Sequence, residues 1–183
     1  MIEVEIRAKV NDIAKVNEKL KPLNVSFLRE EEQKDFIFGH PVFLDSNNMI
    51  LEGGLSARIR KIKEEVSLEF KEIIRKGGGR EFSYKISTIE EGRFLLNKLG
   101  FKEAFSISKK RKVYSYDNLL ICLDNVEGLG DFIEIEKLIC CESEKNSGRE
   151  ECISLLRKID NTLIIEDKKY GDLIQESING QSK

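Results

Sequence analysis

Glu3-Val4-Glu5-Ile6-Arg7-Ala8-Lys9-Val10 carries a charge at every odd position and an apolar side chain at every even one. Successive side chains of a strand point to opposite faces. The stretch therefore predicts a strand with four charges on one face and Val4, Ile6, Ala8 and Val10 on the other. The pattern ends at Asn11-Asp12, beyond which Ile13, Val16, Leu20 and Leu23 recur at helical spacing. Taken alone, such a strand is a half-buried edge with its charges in water. Here the paired acids return in Phe132-Ile133-Glu134-Ile135-Glu136, and Arg58-x-Arg60, Lys71 and Lys109-x-Arg111 supply basic counterparts in other alternating runs.

Outward from this strand the chain is strand-rich, with helices at intervals. Alternating runs over 55–62, 66–74, 80–86, 109–116, 119–125 and 132–139 are separated by turn signals at Gly77-Gly78-Gly79, Asp117-Asn118 and Gly128-Leu129-Gly130. Short strands joined in this way favour an antiparallel sheet or barrel. Thr88-x-x-Glu91 fits the capping box of a helix that bears Ile89, Leu95, Leu96 and Leu99, is weakened by Gly92 and stops before Gly100. A third helix is expected over 149–159, with Cys152, Ile153, Leu156 and Ile159 on its apolar side. Each helix follows an alternating strand, and the first two strand–helix units look like a weak internal duplication. The stretch 39–54 is the least regular and reads as a lid or mobile loop. The expectation is one domain over residues 1–175, followed by a polar, disordered tail at 176–183.

Charge and composition exclude several classes. With 33 acidic against 31 basic residues the chain has no general attraction to nucleic acid or to an anionic membrane. Its apolar runs are far shorter than the ~20 residues that cross a bilayer, and it begins with charged residues, so a cytoplasmic location is the expectation. Cys122, Cys140, Cys141 and Cys152 lack the paired spacing of a zinc site and read as reduced, mostly buried thiols. His40, which is the sole histidine and precedes Pro41, reads as a structural loop residue. Gly77-Gly78-Gly79 lacks the strand-to-helix context of a phosphate-binding loop and reads as a hairpin turn. An RNA-binding barrel is a weaker alternative, because the aromatic residues fall mostly on apolar faces.

Parity carries the functional inference. Arg58 and Arg60 lie opposite Leu55, Ala57 and Ile59; Lys71 lies opposite Val66, Leu68 and Phe70; Lys109 and Arg111 share a face. If the sheet closes with its apolar faces under helices, the charged faces line the interior. Such an interior must be wet and able to bind charged ligands, because desolvating unpaired charges is costly. The simplest occupants are a polyanion on the basic groups and a cation on the glutamates. Carboxylate pairs are hard oxygen ligands suited to Mg2+ or Mn2+, whereas Arg forks match phosphate oxygens.

These motifs together resemble the CYTH superfamily, the triphosphate tunnel metalloenzymes that include class IV adenylyl cyclases and thiamine triphosphatases. The resemblance rests on Glu3-x-Glu5, Leu55-Ser56-Ala57-Arg58-Ile59-Arg60, Lys71, Lys109-Lys110-Arg111 and Cys122-Leu123-Asp124-Asn125-Val126-Glu127-Gly128-Leu129-Gly130, followed by Glu134-x-Glu136. Asp35, Phe38, His40 and Pro41 match a loop start of the cyclase-like branch. The resemblance implies an α+β fold: a closed eight-stranded antiparallel β-barrel forming a triphosphate tunnel, with flanking helices. It also implies Glu3, Glu5, Glu134 and Glu136 as metal ligands, joined by Asp124 and Glu81. Arg58, Arg60, Lys71, Lys85, Lys109 and Arg111 would bind the triphosphate, and Arg7, Lys9 and Glu136 would act in catalysis. Arg7 stands where the family's first motif has lysine, and Ser83 follows Glu81 where a later strand commonly has further acids. The expected partner is a small-molecule triphosphate, with neither nucleic acid nor membrane, and the oligomeric state is open, a homodimer included. Two activities are expected, triphosphate hydrolysis first and ATP cyclisation second, and a noncatalytic nucleotide or polyphosphate-binding module is the third reading.

Overall fold

β1 (Ile2–Val10) realises the opening alternation. In the computed structural model, which describes residues 2–46, 49–74 and 79–181, it is one of eight strands. The others are β2 (Ser26–Gly39), β3 (Leu55–Ile62), β4 (Glu65–Glu72), β5 (Gly79–Ile86), β6 (Lys102–Tyr116), β7 (Leu119–Val126) and β8 (Gly130–Ile139). They close into an antiparallel barrel in the order β1-β5-β4-β3-β2-β6-β7-β8, flanked by α1 (Ile13–Leu20), α2 (Ile89–Lys98), α3 (Lys145–Ile159) and α4 (Tyr170–Gln181). The fold is therefore α+β, and none of the described helices is long and apolar enough to cross a membrane.

The chain divides into two compact units. Among the described residues, the first comprises 2–31 and 109–167. Its core takes Ile6, Ala8 and Val10 from β1, Ile121 and Leu123 from β7, and Ile133 and Ile135 from β8. Val16 and Leu20 of α1 cover these, together with Cys152, Leu155, Leu156 and Ile159 of α3. The apolar face of each strand is thus spent on helices, and the charged face points the other way. Asp12 starts α1 by accepting from the backbone N–H groups of Ala14 and Lys15. Gly128, at φ +78°, supplies the left-handed turn between β7 and β8.

Among the described residues, the second unit comprises 32–46, 49–74, 79–108 and 168–181. Phe36 and Phe38 of β2, Ala57 and Ile59 of β3, and Val66 and Leu68 of β4 pack with Leu96 of α2 and with Phe101. The Thr88 hydroxyl accepts from the Glu91 N–H, and the Glu91 carboxylate accepts from the Ser87 N–H. The reciprocal cap is therefore present, reaching one residue further back than the motif. Gly92 does more than weaken α2: a Cβ there would stand 2.8 Å from the Cδ1 atoms of both Ile59 and Ile86, so its absence lets the helix lie close against the strands.

Several elements differ from the sequence reading. β2 is missing from it because Arg29 to Asp35 carry charged or polar side chains on both faces, which conceals the alternation until Phe36. β6 starts at Lys102 instead of 109, and α3 starts at Lys145 instead of 149. The 39–54 stretch holds a 3-10 turn at Pro41–Phe43 and a bridge between Leu44 and Ile50. α4 runs to Gln181, with Tyr170, Asp172 and Gln175 buried and Asp172 accepting from the Lys169 N–H. Gly77 and Gly78 of the expected hairpin turn lie outside the described residues. The thiols are evenly split: Cys122 and Cys152 are buried, Cys140 and Cys141 exposed, and all four are free.

The helix α2 tests this packing. Leu96 is 0% exposed, whereas Leu99, on the expected apolar side of the same helix, is 54% exposed. Leu96→Ala is expected to lower the stability measured by denaturant titration by about 2–5 kcal/mol, and Leu99→Ala by less than about 1 kcal/mol.

Candidate metal and phosphate site

In the first unit, register decides which charges meet. β1 and β8 pair Glu5 with Glu136 and Arg7 with Glu134. β7 sets Cys122 beside Glu134, and β6 sets Arg111 beside Asp124. Carboxylate oxygens of Glu5, Glu134 and Glu136 come within 4.8 Å of one another. Arg7 donates from Nε to Glu134 Oε1 at 2.7 Å, and its Nη2 contacts the same oxygen and Glu5 Oε1, the latter at 3.5 Å. Arg111 grips Asp124 with Nε and Nη2 at 2.7 and 2.6 Å, reaches Glu136 with Nη1 at 2.9 Å and also bonds Glu134. Lys109 Nζ donates to Asp124 at 3.1 Å.

Electrostatics follow from this pairing. Burial alone would raise the Glu134 pKa, but Arg7, Arg111 and Lys109 hold it below the usual carboxylate value. Burial of Asp124 is likewise outweighed by Lys109 and Arg111, which hold its pKa low. Arg111, whose charge burial opposes, is kept well above its ordinary value by Asp124, Glu136 and Glu134. Burial pushes the Cys122 thiol up despite the nearby Arg111 cation, so this cysteine is no activated nucleophile.

The donor set suits a hard divalent cation: three carboxylates converge, and every donor is oxygen. Of the six acids expected as ligands, the structure brings together Glu5, Glu134 and Glu136. Glu3 lies further along β1, opposite Leu138. Asp124 is 0% exposed and acts as counter-ion to Lys109 and Arg111. Lys9 is exposed, with Nζ 5.9 Å from the Phe132 ring centroid.

The second unit holds a charged cluster of its own on the strand face opposite the one that packs on α2. Asp35 of β2 lies opposite Arg60 of β3, and Glu69 of β4 lies opposite Arg58. Arg60 forms a bidentate pair with Asp35 at 2.8 and 2.7 Å. Arg58 donates from Nε to Glu69 at 2.7 Å and from Nη2 to Glu69 and Glu81, the latter at 2.9 Å. Lys71 Nζ lies 3.3 Å from Glu81, so Glu81 belongs to this basic group. Burial opposes the Arg58 charge, yet Asp35, Glu69 and Glu81 raise its pKa. Lys85 is not drawn in: its side chain is 76% exposed and pairs with exposed Glu65.

Asp35 and Glu69 were not singled out as site residues by charge. Glu69 was legible, since it shares the parity of Lys71 in Val66-Ser67-Leu68-Glu69-Phe70-Lys71. Asp35 was hidden by the two-faced polarity of β2. His40 takes the structural role expected: its Nδ1 accepts from the Val42 N–H, and its ring packs edge-on against Phe101.

A barrel with these motifs is that of the triphosphate tunnel proteins. The CYTH domain model matches residues 1–166, and the chain belongs to the CYTH family, whose members are adenylyl cyclases or triphosphatases and depend on a metal. A protein of Methanocaldococcus jannaschii, provisionally named an adenylate cyclase, is 34% identical over 160 residues, covering 87% of this chain and 90% of its own length. The PH1819 protein of Pyrococcus horikoshii superposes with a TM-score of 0.78 at 30% identity, over 96% of this chain and 99% of its own. A Hippeastrum protein, described as a provisional adenylyl cyclase with a dominant triphosphatase activity, shares the fold with a TM-score of 0.65 at 16% identity, over 96% and 95% of the two chains.

The depressed pKa values of Glu69, Asp124 and Glu134 set a pH dependence. The unfolded chain binds protons to these groups more readily than the folded one. Their stabilisation is therefore complete above the ordinary glutamate value of 4.5 and is lost as pH falls from there through the lower folded values. The denaturation midpoint is expected to hold between pH 7 and 5 and to drop steadily below pH ~4.5; a midpoint that stays level down to pH ~3 would contradict the assigned pairing.

Proposed function

We propose that this protein is a metal-dependent enzyme acting on triphosphates, and that it hydrolyses the terminal phosphoanhydride bond of a nucleoside, thiamine or inorganic triphosphate. The observation that carries the reading is the group of Glu5, Glu134 and Glu136 carboxylates flanked by the Arg7 and Arg111 guanidiniums. Glu5, Glu134 and Glu136 would hold Mg2+ or Mn2+, which, when bound, neutralises phosphate oxygens as charge builds on them. Arg111 and Lys109, fixed by Asp124, would hold phosphate oxygens, and Arg58, Arg60 and Lys71 would add further contacts. Arg7 is committed to Glu134, so its role is to hold that carboxylate in place.

In the hydrolytic step, the oxygen of a water attacks the terminal phosphorus. The bond to the bridging oxygen breaks, its electron pair leaves with the diphosphate, and the water proton passes to Glu136, the β8 carboxylate that Arg111 binds through a single N–H. Free thiols at Cys140 and Cys141 accord with the cytoplasm as the compartment.

ATP cyclisation is the second reading, favoured by the name of the relative at 34% identity. There the 3'-hydroxyl of the nucleotide attacks the α-phosphorus and pyrophosphate leaves.

The test is to supply ATP, thiamine triphosphate and inorganic triphosphate with Mg2+ or Mn2+ and to quantify phosphate, pyrophosphate and cyclic AMP. Phosphate release is expected, reduced about 100-fold or more by Glu136→Ala. Cyclic AMP with equimolar pyrophosphate would replace hydrolysis by cyclisation. Binding without turnover on every substrate would sink both enzyme readings.

A further inference from the structure

Among the described residues of the second unit, Arg58, Arg60 and Lys71 face Asp35, Glu69 and Glu81. These carboxylates differ in how they are held. Asp35 takes both N–H groups of one Arg60 edge and completes that fork. Glu81 sits towards solvent, at 23% side-chain exposure. Glu69 is 6% exposed and fixed on both sides: the Ser67 hydroxyl donates to its Oε1 at 2.7 Å, and Arg58 donates to its Oε2 from two nitrogens. Its Oε2 also stands 3.8 Å from Arg60 Nη1, a nitrogen that makes no hydrogen bond among the described residues. A single buried charge thus occupies one guanidinium and lies against the unengaged corner of the next.

A phosphate chain that reaches these arginines meets an anion already bound to them. Two anions that share one guanidinium repel each other, and in a partly desolvated cluster a unit charge at about 4 Å acts far more strongly than in bulk water. We propose that Glu69 is a specificity-determining residue of the phosphate site: a built-in counter-anion that competes with the bound phosphate chain and sets how much negative charge the arginines accept. The inference rests on the reading that Arg58 and Arg60 contact the triphosphate. It assigns Glu69 a role opposite in sign to that of a metal ligand or a brace, either of which would aid binding.

The test is calorimetric titration of the full chain with inorganic triphosphate and with orthophosphate in EDTA, in parallel with denaturant titration. Glu69→Gln keeps the shape and an acceptor for Arg58 while removing the charge. It is expected to tighten triphosphate binding about 10-fold and orthophosphate binding by less. Glu65→Gln removes an equal charge from the same face of β4 at an exposed position, and solvent screening should hold its effect below about 2-fold. Should the Gln variant not fold, Glu69→Thr repeats the test with a residue that favours strands. Unchanged or weaker triphosphate binding in a folded Glu69 variant, with the unaltered chain binding normally, overturns the role of Glu69 alone. An unaltered chain that binds no triphosphate, with or without Mg2+, overturns the functional reading beneath it as well.

Discussion

The first unit depends on one side chain more than any other, the buried guanidinium of Arg111. From β6 it bonds Asp124 of β7 and both Glu134 and Glu136 of β8. Carboxylates crowded in this way repel each other and lose hydration, so they stay ionised only where a cation with several donors lies between them. The planar fork of arginine can meet several acceptors at once, whereas a lysine presents a point charge. Together with Arg7, Arg111 holds Glu134 below the usual carboxylate value despite its burial.

The two units answer the same problem with different balances. In the first, the carboxylates of Glu5, Glu134 and Glu136 converge beside Arg7 and Arg111. In the second, the arginines of β3 are flanked by carboxylates from β2 and β4. The same parity rule that turns charge away from the helices thus yields converging carboxylates in one unit and arginines flanked by acids in the other. The difference comes from which partner each neighbouring strand sets alongside.

Much of this was open to reading in the chain. Strict alternation in Glu3 to Val10 and in Phe132 to Ile139 requires β-strands with one charged and one apolar face, and those strands are present with the expected parity. The α2 cap was legible because its residues act locally. Where both faces of a segment are polar, as in β2, alternation carries no signal. Leu95 and Leu99 show a further limit: helical spacing marks an apolar stripe, but the width of the surface beneath decides how much of it is covered.

By itself, the sequence determined the strand parities, the helix that follows each of β1, β5 and β8, and the residue types able to bind a cation and a phosphate chain. These follow from local geometry, in which side-chain direction is set by position along the strand. Only the tertiary structure decided that Glu5 joins Glu134 and Glu136 while Glu3 does not, that Asp124 and Glu81 serve as counter-ions to basic groups, and that Lys85 and Lys9 stay outside the clusters. Those outcomes depend on strand register and on distances of a few ångströms between residues up to 131 positions apart in the case of Glu5 and Glu136. The pairing of whole strands sets them, and no single strand's pattern encodes that pairing.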